Sequence, residues 1–108
     1  MADMVTIREQ DLIDSVADAL QYISYFHPMD YIRALGVAYE AEQGPAAKDA
    51  IAQILTNSRM CAEGHRPICQ YTGIVNVFIE WGQNCRLDSS LSLQEVVDEG
   101  VRRAYLNP

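Results

Sequence analysis

Long apolar runs are missing from this chain of 108 residues. A membrane-spanning helix needs roughly 20 apolar residues in sequence, so no span is expected. Basic residues are also scarce: eight Lys and Arg stand against fifteen Asp and Glu, for a net charge of −7. Phosphate backbones and anionic membrane surfaces are held by Lys/Arg-rich faces, so neither nucleic acid nor membrane is an expected partner. Cysteine is limited to three residues, Cys61, Cys69 and Cys85. An odd number does not suggest a disulfide framework. The opening "MADMVTIREQDL" has no basic region followed by an apolar block, so no signal peptide is expected and the location expected is cytoplasmic. Internal repeats and low-complexity tracts are absent. What is present is ordinary for a folded domain: 49% apolar and 21% charged residues. The length fits one domain with a small core.

Periodicity predicts a predominantly helical α+β fold with about four helices. "TIRE", Thr6 to Glu9, has capping-box spacing and is expected to open the first helix. Leu12, Ile13, Val16, Leu20 and Ile23 then mark one apolar face to about Tyr25. Pro28 suits the first turn of a second helix, which carries Tyr31, Leu35, Ala38 and Glu42 and ends near Gly44. Pro45 starts a third, with Ile51, Ile54 and Leu55 as core positions and Gly64 as its C-terminal cap. Ser92 and Glu95 repeat the capping-box spacing ahead of Leu93, Val96, Val97, Val101, Ala104 and Tyr105, the fourth helix.

One strand is expected, over residues 74–81. There Val75, Val77, Ile79 and Trp81 alternate with Ile74, Asn76, Phe78 and Glu80. A lone strand cannot satisfy its own backbone, so this one must pair with another strand or with a partner. Within the chain only the weak segment around "CRLD" is on offer. The chain also closes on "YLNP" as a helix exits, and both features suggest a piece of something longer or an obligate partner.

The chemistry gathers in "GHRPICQYTGI", residues 64–74. Cys61, His65 and Cys69 form a C-x3-H-x3-C pattern that zinc could use with Cys85 as fourth ligand, although Gly64 and Pro67 break any helix aligning them. A cysteine nucleophile with His65 as base is a second reading, without an orienting carboxylate nearby. His27, beside Pro28, reads as helix punctuation. In a third reading Cys69 is one ligand of a cluster whose other ligands lie elsewhere. Pro67 stiffens the approach to Cys69, Gln70 offers an amide, and Thr72 and Gly73 offer a hydroxyl and an unhindered backbone. Spacing alone does not choose among the three.

"NSRMCAEGHRPICQ" followed by "TGIV" resembles the signature of class I, iron–sulfur-dependent fumarate hydratases and the related tartrate dehydratase α subunits. "DLIDSVADALQYISYFHP", "GPAAKDAIAQIL" and "DEGVRRAYLNP" are similar to the same family's N-terminal region, so that the likeness spans residues 1–108 of an enzyme several times longer. It implies that Cys69 is one of three cysteines holding a [4Fe–4S] cluster, the other two lying beyond Pro108. The open iron would act as a Lewis acid in the interconversion of fumarate and malate. Gln70 matches a substrate-contacting glutamine, while Cys61 and Cys85 are left as packing residues.

The family pattern reads Cys-Gln-Asp-Thr-Gly, and this chain has Tyr71 at the Asp position. A phenol with a pKa of about 10 does not do a carboxylate's work near neutral pH. Three accounts of Tyr71 stand open: an inactivating change, drift in a fragment with no catalysis to protect, or a re-purposed site. With one matched cluster ligand, the isolated chain is expected to hold no cluster and to be inactive alone. Implied partners are the remainder of the enzyme or a complementary subunit, a small dicarboxylate and, in the full-length form, a second copy. The other function considered is a non-catalytic helical module that binds a protein through the edge from Val75 to Trp81. The pair Arg102–Arg103 suits a carboxylate, yet its place beside Glu99 on a helix reads as a solvated face.

Overall fold

The computed structural model describes residues 3–68 and 73–106. Its elements run β1 (Val5–Arg8), α1 (Glu9–Tyr25), α2 (Met29–Ala41), α3 (Pro45–Gly64), β2 (Cys85–Asp88) and α4 (Leu93–Leu106). The general class, a mostly helical chain with a small sheet, is the expected one. No helix is long and apolar enough to cross a membrane among the described residues. Two compact units divide the chain: Met1–Gln21 with Gly73–Pro108, and Tyr22–Thr72.

The first unit corrects two expectations. "TIRE" does not form a capping box, because Val5, Thr6 and Ile7 are β-branched and lie in β1. Strand β1 pairs in parallel with β2, in the register Val5↔Cys85 to Arg8↔Asp88. The Glu9 carboxylate accepts the Ser89 hydroxyl rather than turning back to Thr6. The second correction concerns residues 74–81, which form no strand. Alternation shows that side chains suit a pleat, but a strand also needs a facing backbone. In this chain β1 and the weak segment "CRLD" pair with each other.

Helix α4 starts as expected. The Glu95 amide donates to Ser92 Oγ at 3.2 Å and the Ser92 amide donates to Glu95 Oε1 at 3.1 Å, a reciprocal cap. These Ser92 hydrogen bonds, the backbone one first, hold the Glu95 carboxyl below its ordinary value. The unit's core comes from Ile13 and Leu20 of α1 and Val96, Val97, Gly100 and Ala104 of α4. Ile23, expected on the same α1 face, is exposed. The two helices approach closely at Gly100, where an added Cβ would lie 2.7 Å from Val16 Cβ and 3.0 Å from the Ile13 carbonyl oxygen. Lower down, Gln21 Nε2 donates to the Ala104 carbonyl at 3.3 Å.

On the other side of α4, Glu99 accepts from Arg102 at 2.7 Å and Arg103 at 3.1 Å. The arginine pair is thus a partly solvated ion-pair network, as its sequence context suggested. The Arg102 hydrogen bonds, then those of Arg103, pull the Glu99 carboxyl down from 4.5 to about 2. A depressed carboxylate stabilises the fold above its unfolded value and loses that contribution as pH falls through its folded one. Wild type should therefore exceed Glu99→Gln in thermal stability by a small margin at neutral pH, since exposed pairs contribute little. That margin should shrink between pH 4.5 and about 2. Melting both proteins by circular dichroism across this window checks it; an unchanging margin would refute the assignment.

In the second unit α2 packs against α3. Helix α2 ends at Ala41, short of Gly44, and Glu42 is its C-cap. Pro45 does occupy the first turn of α3. The cap of α3 is His65 rather than Gly64: His65 takes the left-handed conformation, with φ 51° and ψ 53°. Gly64 completes the last helical turn.

Candidate functional site

The loop that carries the expected chemistry leaves α3 through residues 65–68, and several tethers fix that exit within the second unit. The His65 amide donates to the Cys61 carbonyl, and the Arg66 amide donates to the same oxygen at 3.1 Å. This double use of one carbonyl closes the helix end. The His65 ring stacks on Tyr25, with centroids 5.6 Å apart and planes 2° from parallel, and meets Phe26 edge-on at 6.1 Å. Finally, the Ile68 amide donates to the Ser24 carbonyl at 2.9 Å, joining the exit to the end of α1.

Cys61 is buried in α3. Its Sγ lies 3.4 Å from the Pro67 carbonyl oxygen and 3.7 Å from Asn57 Oδ1, both as acceptors. A buried, hydrogen-bonded thiol beneath a loop fits the packing role expected of it. Cys85 is half-buried in β2, and both are free thiols. His27, read from sequence as punctuation, has a further contact: its Nδ1 is 2.9 Å from Ser58 Oγ, a hydroxyl buried in α3. The cluster of Tyr22, Tyr25, Phe26 and His27 just before Pro28 was the available sequence signal for an aromatic seat at this helix end.

Of the expected site residues, Cys69, Gln70, Tyr71 and Thr72 lie outside the described residues. Gly73 is described: it is exposed, with φ 80°, a conformation that explains glycine there. Past Gly73 the chain runs on into the apolar residues 74–81.

Among the described residues no group of three or more His, Cys, Asp or Glu is placed to hold an ion. The two described members of the C-x3-H-x3-C pattern have other engagements, Cys61 with the Pro67 carbonyl and His65 with the Tyr25 ring. A [4Fe–4S] cluster held by three thiolates does not fit the described residues.

The family model for fumarate hydratase (fumerase) matches residues 13–108. This chain belongs to the fumarate hydratase family. It is also similar to a Methanocaldococcus jannaschii protein described as an L(+)-tartrate dehydratase subunit alpha, with 30% identity over 91 residues. That alignment covers 84% of this chain and 32% of the relative, so the chain spans about a third of the length of the curated relative that it matches. No solved structure matches the chain. The sequence resemblance is thus borne out at the level of the family, whose lyases add or remove water.

Proposed function

We propose that this chain is the N-terminal part of a hydro-lyase of the fumarate hydratase type, acting on a small hydroxy-dicarboxylate in the cytoplasm. The observation that carries this reading is the family match over residues 13–108. The tethered exit of α3 supports it, because a firmly held stretch leads directly into "CQYTG". Cys69 supplies one thiolate of a [4Fe–4S] site whose other two ligands come from the rest of the enzyme or a complementary subunit. Gln70 hydrogen-bonds a substrate carboxylate through its amide, Thr72 contributes a hydroxyl, and Gly73 leaves room for the substrate to approach. Residue 71 is the proton-handling position, and Tyr71 is poorly suited to it. Fumarate and malate are the substrate pair implied by the family; tartrate is the alternative that the archaeal relative suggests.

Anaerobic reconstitution with iron and sulfide tests this reading. The isolated chain should take up no stable cluster and show no hydratase activity. A full-length version, in which this chain replaces the matching third of the M. jannaschii relative, should develop iron–sulfur absorbance. Cys69→Ser should abolish that absorbance, whereas Cys61→Ser and Cys85→Ser should retain it. A cluster that survives Cys69→Ser overturns the ligand assignment.

A further inference from the structure

Residues 74–81 place a row of apolar side chains in solvent. Phe78 is 94% exposed and Ile74 74% exposed, and Val77, Ile79 and Trp81 are exposed with them. Between this strip and α4 runs a groove of about 620 Å³, whose apolar walls include Val75 and Val77 on one side and Val97 and Val101 on the other. All of these residues belong to one compact unit. Apolar surface this continuous marks an interaction site more often than a free face.

We propose that the strip and its groove are the docking surface for the remaining polypeptide of the same hydro-lyase, which lays an apolar segment along α4. This rests on the reading of the chain as part of such an enzyme. Three observations select that occupant. The relative extends well beyond the aligned stretch, which is 32% of its length, so the polypeptide needed is of a size to cover the face. The strip follows without a break from residues 69–73, the segment assigned to the site. Polypeptide that supplies the missing ligands must come up against that segment, and the strip is the apolar stretch next to it in sequence. Charge argues against a second copy. The chain carries −7, and Asp98 lines the groove, so two such faces would repel while a segment flanked by Lys or Arg would be drawn in.

The test compares the isolated chain with the full-length chimera described above, each with and without Phe78→Asp. Because Phe78 is almost fully exposed in the chain alone, the substitution should leave the isolated chain's melting temperature unchanged and the chain monomeric by sedimentation. In the chimera it should lower the melting temperature by about 5–10 °C, since a carboxylate would be forced into an apolar contact. Amides of residues 74–81 should exchange with deuterium at least about tenfold more slowly in the chimera than in the isolated chain, as burial in a contact implies. Val37→Asp, at an exposed position on α2, is the control and should shift neither. Supplying the relative's remaining two thirds as a separate co-expressed chain gives a second readout, with co-purification lost on Phe78→Asp. Equal exchange in both proteins, a chimera insensitive to Phe78→Asp, or self-association of the isolated chain through Phe78 would each overturn the proposal. Docking that depends on Phe78 in a chimera that takes up no cluster would leave this surface standing and count against the hydro-lyase reading alone.

Discussion

Tyr71→Asp in the full-length chimera should raise the rate of malate or tartrate dehydration at least about 100-fold over the Tyr71 parent. A well-placed general acid or base contributes about 10²–10⁴-fold, and this depends on its protonation state matching the task. Near pH 7 an aspartate with an ordinary pKa of about 3.9 is an anionic acceptor, whereas a tyrosine near 10 is a neutral donor. The side chains also differ in bulk, so the phenol would occupy space that a carboxylate leaves to substrate. Both effects act in the same direction. Steady-state assays on the two proteins, with cluster content matched, separate the outcomes. A rise in kcat with little change in KM indicates a repaired proton transfer, and a fall in KM alone indicates relieved crowding. If the Tyr71 parent is the faster enzyme on any hydroxy-dicarboxylate, the site has been redirected and the inactivating account is wrong.

The second large effect is expected at Gly100. A Cβ there would meet Val16 Cβ at 2.7 Å, Val16 Cγ1 at 2.8 Å and the Ile13 carbonyl oxygen at 3.0 Å. A helix propensity gain of roughly 1 kcal/mol favours Gly100→Ala. Overpacking of about 1–3 kcal/mol opposes it, and the carbonyl at the contact belongs to the backbone, which yields less readily than a side-chain end. The second effect wins, and Gly100→Val should be worse because its two extra methyls meet the same wall. At about 4–8 °C per kcal/mol for a domain of this size, Gly100→Val should melt roughly 10 °C lower in the isolated chain. Combining Gly100→Ala with Val16→Ala should recover part of the loss, as expected for residues in direct contact. An increase in melting temperature for Gly100→Ala would show that propensity outweighs contact.

How much of this could be read beforehand follows the range of the interactions. Ser92, Glu95 and the apolar spacing of Val96, Val97 and Ala104 are local signals, and α4 forms as they dictate. Pro45 likewise marked the start of α3. Strand β1 was hidden because Val5, Thr6 and Ile7 acquire a strand partner only from Cys85, Arg86 and Leu87, far along the chain. Residues 74–81 misled for the opposite reason: their alternation is strong, but among the described residues no strand pairs with them. The His65 ring holds the loop exit by stacking on Tyr25 and meeting Phe26 edge-on, a contact between helix ends that periodicity cannot reveal. The roles given to Cys69 to Thr72 rest on likeness to a family alone, since a single cysteine has no spacing of its own to display.

The split arrangement of the first unit, with Met1–Gln21 set against Gly73–Pro108, bears on how a nascent chain matures. During synthesis α1 leaves the ribosome long before α4 exists, and Ile13 and Leu20 must wait uncovered while the intervening stretch is translated. The α2–α3 hairpin, by contrast, can close as soon as it emerges. A chaperone that shields apolar helices should therefore engage this segment during translation and let go only after α4 has been made.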